Sequence, residues 1–275
     1  MKKVGIVYHP LNKGTLGLAQ KVADFLGTSG VSCWLCSAWE GEQLSKQVAD
    51  TELILTVGGD GTILRTAQAL IHHSIPITGI NLGQLGFLTE LAADEAMEKL
   101  PALLAGEGWI DERAMLEVEI DSSQGQTDKR FFILNDVVIA RGEIARIIYV
   151  EATIDNKPLT TYKADGVIAA TATGSTGYAL ACGGPILHPQ AQQFLLVPIV
   201  PHLSLNNALV LPPEAIVNLR VGAIHKAVLS VDGHISLPLA GGDSITVKHS
   251  RLKTSFLRTG PGDSFYTTLD QKLKG

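Results

Sequence analysis

Short apolar runs alternate with helically spaced apolar positions through the first hundred or so residues. Val4–Tyr8 is a compact β-rich run, and Leu18, Val22, Phe25 and Leu26 follow it at helical spacing. Val31–Cys36 predicts a second strand, Gln43–Val48 a poor helix, and Leu53–Val57 a buried third strand. Ile63, Leu64, Ala67, Leu70 and Ile71 then predict a helix, Pro76–Asn81 a fourth strand and Ala93–Leu104 a further helix. Strands alternating with helices are the pattern of an open parallel α/β sheet.

The pattern changes near Asp111. Ala114–Ile120 alternates apolar and polar positions and leads to Asp121-Ser-Ser-Gln-Gly125, a hairpin-like turn. Phe131–Ala140, Arg146–Ile154, Val167–Ala170, Ala215–Leu219, Ala227–Val231 and Ser244–Lys248 predict strands, with one helix around Thr176–Ala181 and a terminal helix over Ser264–Leu273. The fold class is therefore an α/β N-terminal domain with a parallel sheet plus a β-rich C-terminal domain. The expected division is 1–110, joined by the tail from about 258 to 275, and 111–257.

Composition narrows the partners. The 275 residues are 45% hydrophobic and 18% charged, enough for a sizeable core, and the formal charge is −5 at pH 7. That charge argues against a nucleic acid held by its phosphates. No apolar run reaches the roughly 18 to 20 residues that span a bilayer; the expectation is a cytoplasmic protein with no membrane partner. Cys33 and Cys36 form a C-x-x-C inside an apolar strand run and read as core thiols, and no four-ligand zinc set occurs. His188 and His202 read as structural.

The chemistry concentrates in a few stretches. Gly58-Gly-Asp-Gly-Thr62 joins the third strand to its helix. Glycines let backbone approach a ligand closely, and N–H groups at a helix start hold anions. Asp60 is anomalous there: a carboxylate repels phosphate, so it serves either as a cap or in moving a proton or meeting a cation. A second glycine-rich loop, 83–87, follows the fourth strand, and ligands bind at that edge of such sheets. Asn135 and Asp136 interrupt an apolar strand, as a satisfied structural pair or as acceptors for ligand hydroxyls. Thr171–Tyr178 is dense in small residues and hydroxyls: loop material, or a close-fitting ligand surface with the Tyr178 ring against a planar base. Asp232-Gly233 reads as a hairpin turn with a structural duty. No G-x-x-x-x-G-K-[ST] occurs, nor a G-x-G-x-x-G in the first strand–helix unit, which excludes a P-loop enzyme and argues against a standard Rossmann dehydrogenase.

Gly58-Gly-Asp-Gly-Thr62, Asn135-Asp136 and Thr173-Gly-Ser-Thr-Gly-Tyr178 with Gly183-Gly-Pro185, in that order and spacing, resemble the NAD kinase family. So do 79–90, 198–202 and 209–212. The resemblance covers nearly the whole chain. It implies transfer of the ATP γ-phosphoryl group to the 2′-hydroxyl of the adenosine ribose of NAD, with a divalent cation (Mg²⁺), a cleft between two domains, and a homodimer or homotetramer. By position it implies Asp60 as general base, Gly61 at the phosphate and ribose site, and Arg65 as a basic group suited to phosphate. Phe87 matches the adenine pocket, and Asn135 and Asp136 the ribose pair. Asp165 matches a carboxylate near the nicotinamide end, with Lys163 and Arg146 as nearby basic positions. Thr176, Gly177 and Tyr178 match the adenosine-contacting stretch, which runs on through Ala179, Leu180 and Ala181. His234 stands where the family usually has Gln, Leu82 and Gln84 where it often has polar or basic residues, and Gly177 where Ala is common. A lipid or sugar kinase with the same glycine turn, and a silent dinucleotide sensor, are the competing readings.

Overall fold

The computed structural model describes residues 1–83, 86–123, 129–143, 146–223, 226–260 and 264–274; Gln84 and the end of the hairpin turn expected at 121–125 lie outside them. The chain forms two compact units, Met1–Glu112 with Thr254–Gly275, and Arg113–Lys253.

The first unit runs β1 (Lys3–Tyr8), α1 (Lys13–Thr28), β2 (Ser32–Ser37), α2 (Gly41–Gln47), β3 (Leu53–Val57), α3 (Asp60–Ala69), β4 (Ile77–Asn81), β5 (Leu91–Ala92) and α4 (Ala93–Leu104). Its parallel strands are ordered β2-β1-β3-β4. Every position of β3 is buried, as a central parallel strand covered on both faces requires. Val4 and Ile6 of β1 and Leu53 and Leu55 of β3 pack with Ala19, Val22 and Leu26 of α1 and Ala96, Leu100 and Leu103 of α4. The Asn12 side chain caps α1 by accepting the Gly14 N–H at 3.1 Å. Near the end of the chain Phe256 pairs in parallel with Ile77, and the Thr78 hydroxyl donates to the Leu257 carbonyl at 2.8 Å.

The second unit holds most of β6 (Trp109–Asp121), then β7 (Lys129–Ile133), β8 (Asp136–Arg141), β9 (Ile148–Ile154), β10 (Lys157–Ala164), β11 (Gly166–Ala170), a 3₁₀ turn (Thr173–Thr176) and α5 (Tyr178–Ala181). β12 (Phe194–Ile199), β13 (Leu209–Leu211), β14 (Val217–Val221), β15 (Ala227–Val231), β16 (Ile235–Leu239) and β17 (Ser244–Arg258) follow, before α6 (Ser264–Lys274) of the first unit. One antiparallel sheet is ordered β13-β12-β11-β8-β15-β16. A second set, β10-β9-β14-β17, is also antiparallel. Val137 and Ile139 of β8 share one core with Val150 of β9, Val217 of β14 and Ile245 of β17. Val138 faces the other way, onto Ile168, Val197 and Ala179 of α5. Burial on both faces explains the unbroken apolar composition of β11 and β12 and of Val137–Ala140 in β8.

The expected strand Phe131–Ala140 is two strands. β7 pairs with β6, whereas β8 pairs with β11 and β15. The break falls at Leu134–Asn135, where the backbone N–H groups leave the ladder for the Asp232 carboxylate. β10, β12, β13 and β16 are additional to the expected strands. The helix expected at Thr176–Ala181 is a 3₁₀ turn and a four-residue α-helix meeting at Gly177. Cys33, Cys36 and Cys182 are free thiols, and burial beside Glu40 pushes Cys36 up to about 11, as suits an inert core thiol.

Candidate active site

In the first unit the two glycine loops converge on one carboxylate. β3 ends at Val57, and the chain reaches α3 through Gly58, whose N–H donates to the Ile80 carbonyl at 2.9 Å. Any Cβ at Gly58 would collide with Thr62. Asp60 opens α3, half-buried, and its carboxylate accepts three consecutive backbone N–H groups from the second loop: Phe87 at 2.9 Å, Leu88 at 3.0 Å and Thr89 at 3.3 Å. Thr89 in turn accepts the Gly86 N–H at 2.7 Å. A Cβ at Gly86 would run into the Asp60 carboxylate itself, so glycine there is a condition of the contact. Cβ positions at Gly59 and Gly61, the residues that flank Asp60, meet nothing within 4 Å. Asp60 is therefore clamped beside open glycine backbone. Gly59 gives α3 no side-chain cap; the Thr62 N–H donates to the Gly59 carbonyl at 2.9 Å, and the N–H groups of Asp60 and Gly61 head the helix, where an anion is favoured.

Arg65, one turn along α3, lies over the Trp39 ring at 4.2 Å, and His9 meets the same ring edge-on at 4.7 Å. Phe87 presents its ring 5.6 Å from the Lys272 ammonium of α6.

In the second unit Asn135 and Asp136 form the other cluster. The Asn135 amide donates to the Asp136 carboxylate at 3.2 Å. Asp136 is 5% exposed, and burial together with the Asp232 charge pushes it up to about 7. The 3₁₀ turn packs directly on this pair. Thr171 donates its N–H to the Asn135 carbonyl at 3.0 Å and its hydroxyl to the Leu134 carbonyl at 2.6 Å. A Cβ at Gly174 would strike the Asn135 carbonyl, and one at Gly177 would sit 3.0 Å from the Asn135 amide nitrogen. Alanine, common in the family at Gly177, would fit only if that amide gave way by a few tenths of an ångström. Thr176 and Leu180 are half-buried, Ala179 is buried, and Ala181 and Tyr178 are exposed, Tyr178 at 47%. Burial, Cys182 and Asp165 hold the Tyr178 hydroxyl above its usual range.

The remaining expected residues separate. Asp165 pairs with Arg141 at 3.3 Å. Lys163 is exposed with its ammonium 5.5 Å from the Tyr149 ring centroid. Arg146 is 80% exposed and pairs with Glu143 at 3.3 Å. His234 turns its Nδ1 back to the Asp232 carbonyl at 3.0 Å. Asp232 itself, expected only to make a turn, accepts the N–H groups of Leu134, Asn135 and Asp136. Its signal in the sequence was weak, because an Asp-Gly turn explains the residue without any distant partner.

A glycine turn carrying a clamped carboxylate on a parallel sheet, in a chain with a second polar cluster on a β-rich unit and no P-loop, fits a phosphotransferase of the glycine-turn kind. Comparison with known proteins sharpens this. The ATP-NAD kinase N-terminal domain matches residues 28–108 and the C-terminal domain residues 134–259. The NAD kinase of Dehalococcoides mccartyi strain BAV1 is 48% identical over all of this chain and 96% of its own length. That of Chloroflexus aurantiacus is 40% identical over all of this chain and 99% of its own. A yeast NADH kinase complexed with NADH superimposes with a TM-score of 0.87 at 25% identity, covering 100% of this chain and 88% of that one. An Archaeoglobus fulgidus NAD kinase in complex with ATP gives 0.79 at 25% identity, covering 99% and 98%. The chain belongs to the NAD kinase family, and its activity is that of a NAD kinase.

Proposed function

We propose that Asp60 is the general base in transfer of the ATP γ-phosphoryl group to the 2′-hydroxyl of the NAD adenosine ribose. The observation that carries this is the clamp: three N–H groups fix the Asp60 carboxylate at the start of α3 beside open glycine backbone. In the step the 2′-oxygen forms a bond to the γ-phosphorus, the bond to the ADP oxygen breaks, and the hydroxyl proton passes to Asp60. An alcohol is a poor nucleophile at neutral pH, and such proton removal contributes about 10²–10⁴-fold. Most of the remaining acceleration comes from positioning and charge neutralisation. Gly61 and the backbone N–H groups at the head of α3 receive phosphate, with Arg65 as a neighbouring cation. Asn135 and Asp136 accept the ribose hydroxyls, and Phe87 with Thr176 through Ala181 lines the adenosine. Asp165, Lys163, Arg146 and His234 are assigned to the nicotinamide side.

Among the described residues no group of three or more His, Cys, Asp or Glu gathers to hold a metal. We place Mg²⁺ on the ATP phosphates, as part of the substrate, which suits an ion that keeps its waters and binds phosphate oxygens. We place the reaction in the cytoplasm, in keeping with three free thiols, and in a homodimer or homotetramer. Among the described residues no helix is long and apolar enough to cross a membrane.

The test is NADP formation from NAD, ATP and Mg²⁺, read with an NADP-specific dehydrogenase, for the wild type and Asp60→Asn. A drop in kcat of about 10²–10⁴-fold with an unchanged melting temperature is expected. Full turnover by the folded variant would remove Asp60 as the base.

A further inference from the structure

The turn between β15 and β16 does more than reverse the chain. Asp232 and Gly233 have φ of +46° and +67°, the left-handed central residues of a tight turn closed by the His234 N–H on the Val231 carbonyl at 3.1 Å, and Asp-Gly suits it. That requirement explains the backbone but not the carboxylate, which such a turn ordinarily leaves in water. Here Asp232 is 3% exposed. Its Oδ1 accepts the Asn135 N–H at 2.7 Å and the Asp136 N–H at 3.1 Å, while Oδ2 accepts the Leu134 N–H at 3.1 Å. The Asp232 N–H returns a bond to the Asp136 carbonyl at 2.9 Å. Three hydrogen bonds to its side chain and one from its backbone thus tie Leu134, Asn135 and Asp136 to a residue about a hundred positions later.

A chain leaving one sheet for another at this point could have satisfied these N–H groups with water or a carbonyl. A buried carboxylate is a costlier choice, because its charge must be taken out of water and is held near Asp136. Burial and this neighbouring charge together hold Asp136 up to about 7. A purely structural acceptor placed here works against the ionised form of the adjacent residue. The arrangement makes sense when the orientation of Asn135 and Asp136 is what is being held.

We infer that Asp232 is a positioning residue for the acceptor nucleotide: it touches no substrate, and it fixes the backbone that aims Asn135 and Asp136 at the ribose hydroxyls. The inference rests on the reading of that pair as the ribose site. It assigns to the hairpin turn a share of NAD affinity and none of ATP affinity.

Two substitutions keep the turn while removing the carboxylate. Asn-Gly and Gly-Gly both favour the same left-handed turn, so Asp232→Asn and Asp232→Gly preserve the hairpin. Each is compared with Asp136→Asn in steady-state kinetics for NAD and for ATP, alongside thermal melts. All three variants are expected to raise KM for NAD by about tenfold or more, the loss of a single good contact. KM for ATP stays unchanged, and kcat falls less than KM rises, the pattern of lost uniform binding. A tenfold rise in Asp136→Asn with a wild-type KM for NAD in both Asp232 variants would overturn the positioning role and leave the ribose reading standing. Unchanged KM for NAD in Asp136→Asn would overturn the ribose reading, and the inference with it. Failure of both Asp232 variants to fold, or a parallel loss in kcat and in both KM values, would make the carboxylate a folding element and also overturn the inference.

Discussion

Glu90 in the first unit and Asp136 in the second are both carboxylates taken largely out of water, and their surroundings drive them in opposite directions. Glu90 lies beside Arg258 at 3.3 Å and accepts the N–H groups of Thr259 at 2.7 Å and Gly260 at 2.8 Å. Burial alone would raise its pKa, but Arg258 and these donors outweigh it and hold the group below its usual range. Arg258 also meets Asp111 at 3.2 Å and donates to the Leu88 carbonyl at 2.8 Å. Asp136, by contrast, has one side-chain donor, Asn135, and a like charge nearby. Among the described residues no cation pairs with it. The first arrangement is matched charge that joins the chain end to its unit. The second is a carboxylate whose acceptor capacity is left over, which is what a hydroxyl-bearing ligand would use.

The largest expected effect breaks the matched side. Arg258→Ala leaves Glu90 and Asp111 buried without their guanidinium, and such one-sided removal costs about 3–5 kcal/mol. A melting temperature within a degree or two of wild type would show that the cluster is not matched as described. Gly86→Ala comes next. The added Cβ collides with the Asp60 carboxylate, and displacement of a reacting group by about 1 Å costs on the order of 10²-fold in kcat. Wild-type kcat in the folded variant would show that the clamp does not fix Asp60.

Smaller, and a direct test of the contrast, is pH. The folded pKa of Asp136 is about 7, well above the ordinary value of 3.8. Between about pH 4 and 7 the unfolded chain has released this proton while the folded chain keeps it. This group therefore lowers stability as pH rises through that window, on the order of 4 kcal/mol in all, and changes nothing above it. Asp136→Asn should gain on the wild type in melting temperature from pH 4.5 to 7.5. Glu90 has the opposite sign: its contribution is present above the unfolded carboxylate pKa and is lost as pH falls. If the Asp136→Asn difference is flat with pH, Asp136 is not held protonated. Smallest is Arg146→Ala. An exposed pair such as Arg146–Glu143 contributes about 0–1 kcal/mol, so stability stays unchanged. KM for NAD rises in the same variant if Arg146 serves the nicotinamide side as proposed; an unchanged KM would remove Arg146 from the site.

The parallel sheet of the first unit was legible because each buried strand is a short apolar run ended by glycine or a turn, and local pattern is enough for that. The β-rich unit was read less completely. β12 is wholly apolar, and a short apolar run alone does not separate strand from buried helix. β10 and β16 alternate too weakly to stand out, being partly exposed with a proline in each. The single strand expected at 131–140 became two because a distant side chain competes for its N–H groups. At the site, Asp60, Asn135, Asp136 and the 173–178 run stood out as polar or glycine residues where apolar ones were expected. Gly86 and Asp232 did not, since each has an ordinary local explanation as loop and turn.

The sequence by itself determined the division into α/β and β-rich parts, the glycine turns and the residue types gathered in them, because these follow from periodicity and backbone chemistry over a few neighbours. Only the tertiary structure decided which loop clamps Asp60 and which carboxylate holds the Asn135–Asp136 backbone. Those contacts join residues 27 to 29 and 96 to 98 positions apart. No local pattern encodes such pairings. They arise when packing brings unsatisfied N–H groups and a carboxylate together out of water, where each must find the other.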